Sequence, residues 1–252
     1  MTIRHSVSWW CFAGKRLSPS ELISAAADIG YAGFDLVPAE HWQGIRDADL
    51  EIASIFGHQT LQDGLNKRSN HDRIEAEVLE NLVQAQKHGI HGLVCFSGNR
   101  HGDDDEKGVE VTAAGISRVA GAAEEAGVDL VLELLNSKVD HPEYQCDSTR
   151  WGVEVIERVG SPRVKLLYDI YHMQIMEGDL IRTIRQYNQY FGHYHTAGNP
   201  GRNELDENQE ICYPAVIKAI EETGFDGFVG HEFVPLGDPL ASLRQAYELC
   251  RI

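Results

Sequence analysis

Glu133, Asp169, His195 and Glu232 follow one another at intervals of 36, 26 and 37 residues, and each closes a short apolar run. The runs span residues 128–132, 164–168, 191–194 and 228–231. Three carboxylates and one imidazole make a mixed oxygen and nitrogen donor set, suited to one divalent ion: Mg2+, Mn2+, Co2+ or Zn2+. The set holds no thiolate, which argues against a structural zinc site. Carboxylates aimed at one point repel unless a cation lies between them. The chemistry open to such a centre is proton transfer alpha to a carbonyl. The ion polarises the carbonyl and steadies the developing enediolate, while a carboxylate moves the proton. One acid at a strand end is most often a solvated or capping residue, and a lone histidine is most often packed. Four such ends in succession are harder to dismiss.

Bringing the four together needs strands that all run the same way. Gly30-Tyr31-Ala32-Gly33-Phe34-Asp35 is echoed by Gly89-Ile90-His91-Gly92-Leu93-Val94 and by Gly224-Phe225-Asp226-Gly227-Phe228-Val229, with residues 127–132 a looser copy. In each, a glycine ends a helical stretch and a short link leads into an apolar run, the pattern of a helix cap followed by the next strand. Repeated αβ construction implies parallel strands. About eight units fit the chain, enough to close a (β/α)8 barrel as one domain over residues 1–252, with the strand C-termini converging on a common mouth.

The expected elements follow from local signals. A strand covers residues 4–12, and a helix opens at Ser18-Pro19-Ser20-Glu21, where Ser18 and Glu21 form a capping box. Strands are expected over 33–37, 52–57 and 92–96. A helix over 72–87 carries Ile74, Val78, Leu82 and Val83 at helical spacing, and another covers 109–125. Further helices are expected over 148–159, 179–187 and 213–222, with one more near the C-terminus. The stretches 59–70, 98–107 and 136–147 read as polar loops on the mouth side, where they would set substrate choice.

Composition narrows the partners. With 42% hydrophobic and 24% charged residues, the chain falls in the ordinary globular range. A net charge of −17 would repel a polyanion, which excludes nucleic acid and favours a small-molecule substrate. The five cysteines are scattered and form no CxxC pair, as expected of a reduced, cytoplasmic protein. The start, Met1-Thr2-Ile3-Arg4-His5, has no secretory character. No apolar window is long enough to span a membrane.

Other residues stand at the expected mouth. His58 ends the third strand, and His172 lies in the loop three residues past Asp169; both are candidate substrate contacts, His172 against the alternative of a solvent-facing histidine. Arg202, in Pro-Gly-Arg, could clamp a substrate carboxylate or hydroxyl. Trp9, Trp10 and Phe12 could wall a sugar site, though core packing is their commoner fate. Strand alternation turns His231 away from Glu232 and leaves His193 on the face of His195, one layer deeper.

Leu132-Glu133-Leu134-Leu135-Asn136, Tyr168-Asp169-Ile170-Tyr171-His172-Met173-Gln174, Gly192-His193-Tyr194-His195-Thr196-Ala197, Pro200-Gly201-Arg202-Asn203-Glu204 and Gly230-His231-Glu232-Phe233 resemble the hydroxypyruvate isomerase family. That family belongs to the xylose-isomerase-like TIM barrels, with ketose 3-epimerases, inosose dehydratases and endonuclease IV enzymes. The resemblance implies a divalent metal held by Glu133, Asp169, His195 and Glu232, with Glu133 and Glu232 exchanging roles as base and acid. It also places Glu204 among the substrate contacts. The expected activity is a metal-dependent isomerisation of a small hydroxy-oxo acid or keto-sugar through an enediolate. Where many hydroxypyruvate isomerase relatives carry glutamine, this chain carries His195, as in the epimerase-type ligand set. Ketose 3-epimerisation and a dehydratase or lyase reaction at the same metal are therefore the alternatives, and a non-catalytic metal-containing sugar-binding protein is a more distant one. A nuclease would want further ligands and a basic face. The family often forms dimers or tetramers, and the sequence leaves the homo-oligomeric state open.

Overall fold

The computed structural model describes residues 3–14 and 16–251; Met1, Thr2, Lys15 and Ile252 lie outside the described residues. The first strand, β1 (Arg4–Ser8), stops short of its expected end, and Trp9–Phe12 form a single helical turn, α1. The turn has a packing reason. A strand would put Trp10 and Phe12 on one face, whereas the helix places Trp9 and Phe12 together three residues apart. Trp9 and Phe12 are buried and Trp10 is left 38% exposed.

α2 (Pro19–Ile29) opens on the expected capping box, with Ser18 accepting from the Glu21 amide and Glu21 reaching back to the Ser18 amide. β2 (Gly33–Asp35) and α3 (Trp42–Asp47) follow. The expected third strand is split into β3 (Glu51–Ile52) and β4 (Ser54–Phe56). α4 (His71–His88) buries Ile74, Val78 and Leu82, but Val83 is 63% exposed. The buried stripe continues from Leu82 to Ala85 instead, so Val83 lies off the four-residue spacing that faces the sheet.

β5 (Gly92–Cys95) leads to α5 (Asp105–Ala126), which begins inside the expected 98–107 loop. Asp104 caps it by accepting from the Lys107 amide, and Asp105 and Glu106 occupy its first turn. Acidic residues favour the positive end of a helix, so the acidity that resembles loop composition here marks a helix start. β6 (Asp129–Glu133), α6 (Thr149–Val159) and β7 (Val164–Asp169) agree with expectation. A helix not expected, α7 (Ile170–Met176), starts directly after β7 because the Asp169 carboxylate caps the His172 amide. α8 (Leu180–Tyr187), β8 (Phe191–Thr196), α9 (Tyr213–Glu221), β9 (Phe228–His231) and α10 (Pro239–Cys250) complete the chain. Gly30, Gly89, Gly127 and Gly224 all have left-handed backbones, with φ of 108°, 67°, 70° and 79°, as the repeated helix-end pattern requires.

Every strand pairing is parallel. The order is β3-β2-β1-β9-β8-β7-β6-β5-β4. The two ends of that order are successive halves of one stretch interrupted at Ala53. The Ala53 amide donates to Phe34 O and the Leu36 amide donates to Ser54 O, each at 2.8 Å. The split stave therefore hydrogen-bonds β2 on one side and β5 on the other, and eight staves close into the expected barrel. β1 pairs with β9, from Arg4 opposite Phe228 to Val7 opposite His231. Outward residues such as Val7, Phe34, Leu130, Leu166 and Val229 are buried beneath the helical ring. Among the described residues, no helix is long and apolar enough to cross a membrane.

Candidate metal centre

Four consecutive staves deliver the four residues. Glu133 and Asp169 are the last residues of β6 and β7, His195 is the penultimate residue of β8, and Glu232 directly follows β9. Parallel register sets Asp169 opposite His195. One ligand atom from each of the four lies within 4.8 Å of all the others. His195 Nδ1 stands 3.4 Å from Glu133 Oε1 and 3.3 Å from Glu232 Oε2. Exposure runs from 0% at His195 to 4% at Glu133, so water screens the cluster little.

The backbone around it is pinned by tyrosines. Tyr144, fully buried, donates to Glu133 O at 2.9 Å and accepts from the Ser97 amide at 3.1 Å. Tyr213 spans both sides of Ala197, donating to its carbonyl at 2.7 Å and accepting from its amide at 3.0 Å. The strand ends are held rigidly, which a site built from several strands needs.

Electrostatics supply the test of whether a cation fits. Burial raises the Asp169 carboxyl to about 7, with Arg202 opposing and Glu232 adding to the rise. Burial likewise raises Glu133, and the facing imidazole of His195 only partly offsets this. Glu232 goes the other way: burial would raise it, but Arg202 and then His195 hold it well below the usual carboxylate range. Three buried acids thus share one guanidinium and one imidazole, and two of them are left poorly compensated. Neither ring nitrogen of His195 has a hydrogen-bond partner. Orphaned nitrogen and crowded carboxylates are what a bound divalent ion would satisfy. The donor set fits a metal.

Arg202 sits at the rim of this cluster, in a left-handed turn with φ of 58°. Its Nη2 donates to Glu232 Oε2 at 2.5 Å, and its guanidinium lies 5.3 Å from the Trp10 ring and 5.8 Å from the Tyr171 ring. Trp10 Nε1 donates to Glu232 Oε1 at 2.8 Å, and Ser8 Oγ reaches the same oxygen at 3.3 Å. Of the three aromatic residues after β1, Trp10 alone faces the cluster. Trp9 packs on Phe34 and Phe12 on Phe233.

His172 lies inside α7 and is fully buried, so it is neither the loop residue expected nor solvent-facing. Its Nδ1 is 2.6 Å from Asn136 Nδ2, and its Nε2 stands without a partner 3.8 Å from Asp169 Oδ2. Asn136 in turn donates to Asp140, which also accepts from Tyr171. Lys138 donates to the carbonyls of Ile175 and Met176 at 3.0 Å. Residues 136–140 are thereby tied to both ends of α7.

Two expected substrate contacts are placed elsewhere. His58 is buried against Phe96, with Nε2 accepting from the Phe96 amide at 2.9 Å, and it lines a cavity with Phe56 and Glu77 rather than with the four-residue cluster. Glu204 Oε1 accepts from the amides of Leu236 and Gly237 at 2.7 and 3.0 Å and from Ser242 at 3.1 Å. That carboxylate ties its loop to the segment before α10; its expected role as a substrate contact does not match this position. His231 faces away from Glu232, between Thr196 Oγ1 and the rings of His5 and Tyr31. His193 lies deeper on the face of His195, its Nε2 3.0 Å from Asp35 Oδ1. Asp35 is the residue that sequence reasoning missed. It ends β2 as an acid, the same signal that singled out the other four.

A family model described as Xylose isomerase-like TIM barrel matches residues 23–251. The chain is 39% identical over 115 residues to hydroxypyruvate isomerase of Escherichia coli (strain K12), covering 46% of this chain and 44% of that one. It is 33% identical over 124 residues to 2-oxo-tetronate isomerase of Cupriavidus necator, covering 49% and 47%. The matched stretches span less than half the length of these curated relatives. Among solved structures, an AP endonuclease, family 2, from Brucella melitensis superposes with a TM-score of 0.87 at 24% identity over 100% of both chains, a likeness of fold.

Proposed function

The chain belongs to the xylose isomerase-like TIM barrel family, and within it we propose that this protein is a divalent-metal-dependent isomerase of a small hydroxy-oxo acid or keto-sugar, of hydroxypyruvate isomerase type. The observation that carries the reading is the pair Glu133 and Glu232, both buried and both members of one cluster with ligand atoms within 4.8 Å. Glu133, Asp169, His195 and Glu232 would hold one ion. Bound there, it would polarise the substrate carbonyl and stabilise negative charge on its oxygen.

The protein groups do the rest. One glutamate takes the proton from the carbon alpha to the carbonyl, and the other returns a proton to the former carbonyl carbon. The proton of the alpha hydroxyl passes to the former carbonyl oxygen; over the reverse reaction the glutamates exchange roles. Arg202 and His172 are the proposed substrate contacts. The guanidinium already orients Glu232, and its buried Nε has no partner. The His172 Nε2 is likewise unpaired beside Asp169, free to meet a substrate hydroxyl. Trp10 and Tyr171 flank the guanidinium.

The test is incorporation of deuterium from solvent into hydroxypyruvate and a panel of ketoses, followed by NMR, before and after EDTA. Exchange that vanishes with EDTA and returns with Mn2+ or Mg2+ is the expected result. Exchange indifferent to EDTA would overturn the metal reading. His195 favours a second reading, ketose 3-epimerisation, and identification of the product separates the two.

A further inference from the structure

His172, proposed above as a substrate contact, is held from behind by a residue that the proton transfers do not use. β6 ends at Glu133, and the chain turns over residues 137–140. Asn136, fully buried, closes that turn. Its Oδ1 accepts from the amides of Val139 and Asp140 at 3.0 and 2.8 Å, the local bonding that suits asparagine to turns. A branch that takes two amide hydrogens must be the oxygen, so the other branch of the side chain is Nδ2.

Nδ2 carries two hydrogens and has two acceptors. One is Asp140 Oδ2 at 2.7 Å, which also accepts from Tyr171 at 2.8 Å. The other is His172 Nδ1 at 2.6 Å, and the main-chain amide of Asn136 donates to the same nitrogen at 3.2 Å. A main-chain N–H can only donate. Nδ1 therefore faces two donors and must offer its lone pair, with no hydrogen of its own. That excludes the imidazolium, which carries hydrogen on both nitrogens, and the Nδ1–H tautomer as well. The neutral ring with hydrogen on Nε2 remains. Nε2 has no protein partner and lies 3.8 Å from Asp169 Oδ2, on the side of the four-residue cluster.

We propose that Asn136 is a positioning residue: with its side chain and its own amide it holds His172 as the Nε2–H tautomer, so that the ring offers the cluster a donor and no lone pair. A nitrogen bearing hydrogen binds no cation, so His172 stays outside the ligand set although it is buried beside Asp169. It is equally unable to take a proton from the substrate. Its complement is an oxygen with a lone pair to share, a carbonyl or a hydroxyl. A substrate group that can only donate, such as an ammonium, is refused at that place. The tautomer follows from hydrogen bonds alone, whereas its use in substrate choice rests on the isomerase reading above.

Long-range 1H–15N correlation spectra of EDTA-treated, 15N-labelled protein read both nitrogens of His172, with His172→Gln identifying its signals. The unsubstituted protein is expected to show a bare Nδ1 and a protonated Nε2, before and after addition of Mg2+. Asn136→Asp keeps the shape but turns a donor toward Nδ1 into an acceptor, and hydrogen is expected on Nδ1 in part or all of the molecules. In Asn136→Ala only the main-chain amide remains, and a minor Nδ1–H population is expected. With whichever of hydroxypyruvate and the ketose panel the parent exchanges, kcat/KM of Asn136→Ala should fall about 10-fold, the worth of one hydrogen bond. Hydrogen on Nδ1 in the unsubstituted protein would overturn the inference, and that spectrum needs no variant to fold. So would unchanged spectra in the folded Asn136 variants, or loss of the Nε2 hydrogen when Mg2+ is added, since His172 would then be a ligand. If no panel member exchanges deuterium, the isomerase reading fails while the spectra still decide the role of Asn136.

Discussion

Arg202 Nη2 and Glu232 Oε2 form an ion pair at 2.5 Å, with Glu232 side chain only 3% exposed and Arg202 18%. The pair crosses from the loop after β8 to the end of β9, so the arginine holds in place a carboxylate that also belongs to the four-residue cluster. Removing one partner of a buried pair typically costs about 3–5 kcal/mol, because the other charge is stranded. Arg202→Gln is expected to lose stability of that order in urea denaturation with EDTA present. The loss should shrink when Mn2+ is added, since an ion at the cluster would serve as the missing counter-charge. A loss of equal size with and without Mn2+ would mean that no ion sits beside Glu232.

Glu133→Gln and Glu232→Gln keep side-chain shape and remove only the base. Each is expected to lower solvent-proton exchange into substrate by about 10²- to 10⁴-fold while circular dichroism stays unchanged. Full exchange in both variants would remove the two-glutamate mechanism.

Asp169→Asn takes away one anionic ligand and leaves the cap on the His172 amide able to form through the amide oxygen. Metal content after dialysis should fall while helix content holds. Mn2+ should also raise the midpoint of unfolding less in this variant than in the parent, in which an ion at 100 times its dissociation constant adds about 2.7 kcal/mol.

His58 is buried away from the cluster, and burial pulls its imidazole down to about 4. In the unfolded chain the ordinary value is about 6.5. The folded state therefore keeps His58 neutral while the unfolded state gains a proton, so stability is lost as pH falls from about 6.5 toward 4. At pH 5 the expected loss from this group is about 2 kcal/mol. His58→Gln, which retains an acceptor for the Phe96 amide, should lose less stability between pH 7.5 and 5 than the parent. Parallel pH profiles would assign the acid sensitivity elsewhere.

On α4, Val78→Ala should cost about 1–3 kcal/mol through the cavity it leaves, and Val83→Lys should change stability by less than about 0.5 kcal/mol. Thermal unfolding of the two variants checks which valine faces the sheet.

The four-residue cluster was legible because each member ends an apolar run, and parallel construction sends all such ends to one mouth. Asp35 carried the same signal but stood alone on a three-residue strand, without the regular spacing that joined the others. α7 was hidden because its cap is also a cluster residue: Asp169 reads as the end of a strand and is equally the start of a helix. The fates of Glu204 and His58 are set by tertiary partners, the Leu236–Ser242 segment and the Phe96 amide, that no local pattern announces. The breakpoint at Ala53 is likewise a property of ring closure, in which one stave must serve two neighbours whose directions diverge.

All four cluster residues come from the contiguous half of the ring between β6 and β9, whereas the loops following β4 and β5 rise from the other half. The two halves are nonetheless tied together: Asn66 donates to Gln145 at 2.7 Å and Arg100 pairs with Asp147 at 3.0 Å, so a change in residues 59–70 or 98–104 is carried to the segment that follows Glu133.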